Sequence, residues 1–160
     1  AGARRSTRGT RWMRVLAVDF GDRRVGLAIS DELGIAAHGL DTVDVVSPRR
    51  AANAVVAIAN ERGAERIVVG MPYAMDGSRG PRAEATAEFI ELLRRRTNLP
   101  IEEFDERFTT KRAEHTLHEL GIDERRGRGK KDQIAAVFIL QDYLSTVQMR
   151  TNNPPECHEQ

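Results

Sequence analysis

Apolar and polar positions alternate with a period of two over residues 14–20 (RVLAVDF), and Gly21 ends the run, so the spacing predicts a first strand. Residues 25–30 (VGLAIS) predict a second, close enough to form a hairpin, and residues 41–46 (DTVDVV) a weaker third. The period then changes. Ser47-Pro48 supplies an N-cap followed by proline in the first helical position, and Ala51, Ala52, Val55, Ile58 and Ala59 form one stripe that Gly63 stops. Residues 66–70 (RIVVG) read as a short, wholly apolar strand of the kind buried inside a sheet. A Pro- and Gly-containing loop over 71–80 leads into a helix over about 81–96, with Ala83, Ala87, Ile90 and Leu93 on one face. Residues 100–106 (PIEEFDE) predict the last strand. Thr109 or Thr110 caps a helix through Leu120, and residues 121–131 form a basic, glycine-containing loop. The final helix, 132–147, is apolar nearly all round and is expected to be buried.

Three consecutive strands followed by helix–strand–helix–strand and two helices imply an α/β fold, with a mixed sheet and helices packed on its faces. At 160 residues, 40% hydrophobic and 31% charged, the chain suits one folded domain, expected over 14–147, with a basic arm over 1–13 and a loose tail over 148–160. The near-neutral total hides an asymmetry. Residues 1–14 hold five arginines and no acid, whereas the remainder has 20 basic and 24 acidic residues, net −4. Such an arm can touch nucleic acid or be a start-site extension, and nucleic-acid binding by the body must come from local patches. The single cysteine, Cys157, excludes an internal disulfide and points to a reducing, cytoplasmic setting. No apolar run is long enough to span a bilayer, and none follows the N-terminal arginines as a secretory signal requires.

Asp19 stands near the end of an apolar strand, on the face shared by Val15 and Ala17, where a carboxylate is costly unless its charge is offset. It is a candidate metal ligand, or an aspartate bonding the Gly21 turn. Glu106 closes the last strand among Glu102, Glu103 and Asp105, as a further candidate or as part of a solvated edge. Asp132 begins the last helix, where the dipole alone could account for it. Two strand ends and a helix start can meet at one sheet edge, and three carboxylates there repel one another unless cations lie between them. Mg²⁺ suits such a site, and two ions would serve phosphodiester hydrolysis. Arg125, Arg126, Arg128, Lys130 and Lys131 lead into Asp132, Arg23 and Arg24 follow Asp19, and Arg107, Thr109 and Thr110 follow Glu106. These are the candidate phosphate contacts, although the basic loop could equally be a solvated one. With 5% aromatic residues, backbone-directed recognition is expected over base stacking. His115 and His118 read as an exposed helix face, and Ser30 and Ser78 lack a nucleophile-elbow setting.

Four segments in order carry a resemblance. Asp19-Phe20-Gly21-Asp22-Arg23-Arg24-Val25-Gly26-Leu27-Ala28, with Ser30-Asp31, resembles the opening motif of the YqgF/RuvX family. Val68-Val69-Gly70-Met71-Pro72 with Met75-Asp76-Gly77, then Asp105-Glu106-Arg107-Phe108-Thr109-Thr110, are similar to its second and third motifs. Gly129-Lys130-Lys131-Asp132, with Ala135-Ala136 and the run from Ile139 to Leu144, is similar to its last. Together they span about residues 14–147. Ala74 departs from the pattern, which often has Asn there. The resemblance implies a ribonuclease H-like fold and an acidic set of Asp19, Glu106 and Asp132 binding Mg²⁺ or Mn²⁺. It also implies cytoplasmic hydrolysis of structured nucleic acid by a monomer or homodimer, foremost at the 5′ end of pre-16S rRNA and alternatively at branched DNA such as the Holliday junction.

Two rivals of other classes are weaker. An actin-like or sugar-kinase ATPase shares the first Asp-x-Gly hairpin but closes two such domains around ATP, and no second loop of that type occurs. A non-catalytic nucleic-acid adaptor would not need all three carboxylates.

Overall fold

The computed structural model describes residues 14–107 and 128–152, with side chains of 128–132 and 148–152 outside that description. The predicted helix from Thr109 or Thr110 to Leu120, the loop arginines Arg125 and Arg126, and the arm all lie outside the described residues.

Five strands form one sheet in the order β3-β2-β1-β4-β5. These are β1 (Val15–Phe20), β2 (Arg24–Ser30), β3 (Ala37–Asp44), β4 (Arg66–Met71) and β5 (Ile101–Asp105). β1 and β2 pair antiparallel, as do β2 and β3, while β1, β4 and β5 run parallel. The mixed sheet expected from the element order is therefore present. Three helices are described: α1 (Pro48–Glu61), α2 (Pro81–Arg94) and α3 (Arg128–Asn152).

The hairpin joining β1 to β2 turns on Gly21, whose N–H donates to the Arg24 carbonyl at 2.9 Å. A Cβ at Gly21 would lie 2.7 Å from that same oxygen, so the tight return requires glycine. Ser47 caps α1 by accepting from the Arg50 amide at 3.2 Å, with proline in the first turn as the sequence predicts. Strand parity divides the sheet into two packed faces. Leu16, Val18, Val25, Leu27, Ile67 and Val69 meet α1 and α2 through Val55, Phe89, Ile90 and Leu93. Val15, Ala17, Ala28 and Val68 meet α3 through Ala136, Ile139, Leu140, Tyr143 and Leu144.

Three expectations need correction. β3 begins at Ala37, four residues before the predicted start, because pairing with Ser30, Ile29 and Ala28 of β2 defines it despite Gly39 and His38. α3 starts at Arg128 and ends at Asn152, so Arg128, Lys130 and Lys131 belong to its first turns, and residues 148–152 extend the helix into the expected tail. Nor is α3 buried all round. One stripe packs on the sheet, while Gln141, Ser145 and Thr146 are exposed.

Candidate active site

The C-terminal ends of β1, β4 and β5 lie at one edge of the sheet because these strands are parallel and adjacent. Asp19 is next to last in β1 and Glu106 immediately follows β5, both on the face covered by α3. β4 stands between them, so their backbones are two strand spacings apart, about 10 Å. Two acidic side chains reaching inward can close that gap only if the β4 residue between them has no side chain of its own. That residue is Gly70, paired with Phe104 of β5. A Cβ on Gly70 would lie 2.5 Å from Glu106 Oε2 and 2.6 Å from Ile139 Cδ1. The Glu106 carboxyl thus lies across the bare backbone of Gly70, under Ile139 of α3. The Glu106 amide donates to the Met71 carbonyl at 3.2 Å, continuing the β4–β5 ladder one residue past the strand.

Glu106 is 8% exposed. Burial pushes its carboxyl up to about 8, and the negative charge of Asp19 pushes in the same direction. Protonated Glu106 also donates a hydrogen bond to Asp19, while the positive charge of Arg82 opposes these effects. The adjacent Asp105 turns the other way. Its Oδ2 accepts from Arg107 Nε at 2.8 Å and pairs with a second guanidinium nitrogen at 2.7 Å. Of the acids ending β5, Glu106 is the one brought to Asp19.

Asp132 is outside the side-chain description, but the helix around it constrains its backbone. Gln133 Nε2 donates to the Leu40 carbonyl at 2.9 Å. Leu40 pairs with Leu27, and Leu27 with Val18, so α3 meets the sheet one residue short of the level of Asp19. Asp132 precedes buried Ala136 by four residues and Ile139 by seven, the spacing of the sheet-facing stripe. It lies in the second turn of α3 and not at its start, so the capping account of this residue is lost.

The phosphate candidates divide. Arg23 is exposed in the β1–β2 turn, whereas Arg24 Nε lies 3.9 Å from Asp44 Oδ1. Arg107 is engaged by Asp105 and also donates to the Met75 carbonyl at 3.4 Å, tying the 71–80 loop to the end of β5. Thr109, Thr110, Arg125 and Arg126 lie outside the described residues. Arg128, Lys130 and Lys131 open α3, whose first turn contains no acid. Positive charge there opposes the helix dipole, and a bound anion would offset both. Sequence reasoning missed Gly70, although a glycine inside an apolar strand signals close approach by another group. It also missed Arg82, in the first turn of α2, whose Nη1 lies 3.1 Å from Asp22 Oδ2.

The paired acids fit a hard divalent cation. Their donors are carboxylate oxygens, and a positive ion would offset the burial and the repulsion that together raise Glu106.

The class defined by this sheet is the ribonuclease H-like fold. It is shared with T. thermophilus RuvC in complex with a Holliday junction substrate (TM-score 0.57, 16% identity, covering 86% of this chain and 97% of that one). It is likewise shared with the fowlpox virus Holliday junction resolvase (TM-score 0.51, 13% identity, 84% and 99%). The family is narrower. The family model described as "RuvX: Holliday junction resolvase" matches residues 13–146, and the chain belongs to that nuclease family. Among curated relatives, a Chloroflexus aurantiacus protein named "Putative pre-16S rRNA nuclease" is 43% identical over 145 residues, 91% of this chain and 93% of its own. A Halothermothrix orenii protein of the same name is 41% identical over 133 residues, 83% and 95%. Among the described residues, no helix is long and apolar enough to cross a membrane.

Proposed function

We propose that this protein is a metal-dependent endonuclease that hydrolyses phosphodiester bonds in structured nucleic acid in the cytoplasm. Its foremost substrate in this reading is pre-16S rRNA, the molecule in the names of the relatives, cut at its 5′ end. The observation that carries the reading is buried Glu106, lying over Gly70 at the parallel-strand edge and facing half-buried Asp19. A purely structural acid at that depth is normally bonded to a cation, whereas among the described residues the side-chain hydrogen bond of Glu106 is to another acid, and Arg82 offsets the pair only in part.

Asp19, Glu106 and Asp132 would hold Mg²⁺ or Mn²⁺, in a two-ion arrangement. The chemistry such ions supply when bound is activation of the attacking water and stabilisation of the leaving oxygen. The chain's own contribution is to hold the carboxylates rigidly. Asp19 is fixed by the β1–β2 ladder, Glu106 by the bond of its amide to Met71, and Ile139 covers Glu106 from bulk water. The basic opening of α3 supplies phosphate contacts that do not depend on sequence.

Purified protein incubated with labelled pre-rRNA leader and with four-way junction DNA, with and without Mn²⁺, tests the reading. Metal-dependent cleavage of the leader in preference to the junction is expected. Preference for the junction would favour the resolvase activity in the family's description. Undiminished cleavage in excess chelator, or none of either substrate, would overturn the proposal.

A further inference from the structure

Three arginines approach the carboxylate edge from the 71–82 segment and the end of β5, and their surroundings differ. Arg107 is bonded twice to Asp105 and once to the Met75 carbonyl, so it clamps the loop. Arg79 lies 3.8 Å from Glu103 Oε2, and the Tyr73 hydroxyl donates to that same oxygen at 3.3 Å. Both arginines are committed to β5. Arg82 is tied to a different place, the β1–β2 turn, where its ion pair with Asp22 spans 3.1 Å. Asp22 follows Asp19 by three residues. The two side chains of this pair are 54% and 84% exposed. An exposed pair contributes little to folding, so exchanging Asp22 for another anion costs little.

We infer that Arg82 binds a backbone phosphate of the nucleic acid beside the scissile linkage, leaving Asp22 when substrate arrives. The inference rests on the nuclease reading above and adds a specific substrate contact to it. A guanidinium suits the task because its fork of N–H donors matches two phosphate oxygens, which an ammonium cannot do. Its ion-pair partner Asp22 stands in the turn that closes β1, three residues after Asp19, so a phosphate taken up in place of Asp22 is held at the carboxylate edge. Asp22 holds the side chain at the edge until then.

The test couples one side chain to one phosphate. A cleavable leader or junction is prepared with a single methylphosphonate, which is uncharged, at each linkage flanking the mapped cut in turn. Wild type and Arg82→Ala are compared on every member of the series. Neutralising the contacted phosphate should slow wild type about tenfold or more and have no further effect on Arg82→Ala. Every other linkage should behave alike in the two proteins. Binding by the inactive Asp19→Asn protein should lose about 0.7–0.9 of its log–log salt slope when Arg82→Ala is added. Arg82→Lys should restore that slope but not the full rate, and Asp22→Asn should retain wild-type binding or tighten it. If Arg82→Ala and the methylphosphonates act independently at every linkage while wild type cleaves, this inference fails and the nuclease reading stands. If wild type neither cleaves nor binds, both fall.

Discussion

Glu102 and Glu106 lie four residues apart, both on the α3 side of the sheet, and their surroundings are opposite in kind. Glu102 accepts from Arg66 Nη1 at 2.7 Å, and the same nitrogen donates to the Tyr143 hydroxyl at 2.9 Å, so the acid joins β4, β5 and α3. Glu106 is more deeply buried, faces Asp19, and is kept largely protonated at neutral pH. Burial alone therefore does not tell a structural acid from a functional one. The sign of the nearest charge does. An acid bonded to an arginine has its charge neutralised by that bond, whereas an acid bonded to another acid makes a place that a bound cation would suit.

The largest expected effect tests the Glu106 side of this contrast. Asp19→Asn and Glu106→Gln should each lower metal-dependent cleavage by more than about a hundredfold, since even partners behind a metal ligand contribute 10- to 100-fold. Both should melt at or above the wild-type temperature without metal, because each removes the cost of holding two carboxyl groups together, met at neutral pH by keeping Glu106 protonated. Activity retained in Glu106→Gln but lost in Asp105→Asn would move the site to the other acid.

Gly70→Ala asks whether geometry or charge matters more. Its methyl would overlap Glu106 Oε2 and Ile139 Cδ1, so the carboxyl or the helix must give way. Overpacking of this kind costs about 1–3 kcal/mol, and a displacement near 1 Å can slow chemistry by as much as about a hundredfold. Loss of both stability and rate is expected, measured by denaturant unfolding and initial rates. Unchanged rate would show that the pair tolerates displacement.

The pH dependence of stability follows in size. The Glu106 carboxyl is raised from 4.5 to about 8 in the folded, metal-free protein. Between these values the folded state holds a proton that the unfolded chain has released, so stability falls as pH rises through that window and levels above it. The slope is about 1 kcal/mol per pH unit for one group. Glu106→Gln should remove this slope, and saturating Mg²⁺ should suppress it by displacing the proton. A wild-type profile as flat as the variant's would contradict the raised carboxyl.

Much of this arrangement is legible in the sequence alone. Strand alternation put Asp19 on the face of Val15 and Ala17, and the end of β5 drew attention to Glu106. The pairing of those two acids was not legible, because it depends on β4 lying between β1 and β5, a matter of sheet order. Nor could periodicity divide four acids in five positions into Glu102, which is hydrogen-bonded to an arginine, and Glu106, which is bonded to Asp19. Arg66 and Tyr143, which settle Glu102, stand 36 and 77 residues apart from Glu102 and Arg66 respectively along the chain. The start of α3 was misplaced because Gly127 and Gly129 suggest a loop, whereas helical hydrogen bonding there continues through Gly129.

The smallest effect is expected at the other acid. Arg66→Met keeps most of the buried stem of the side chain and removes its charge. The pair is partly exposed, with side chains 25% and 41% accessible, so its net contribution is screened. Arg66 Nε, moreover, is buried without a hydrogen-bond partner, a cost that the substitution relieves. Glu102 would recover water on its exposed side and keep the Tyr143 hydroxyl as a donor. The expected loss is therefore about 1 kcal/mol or less by denaturant unfolding, with the cleavage rate of folded protein unchanged. A loss of several kcal/mol would mean that Glu102 is left as uncompensated as Glu106. The contrast between the two acids would then rest on arginine alone and not on exposure as well.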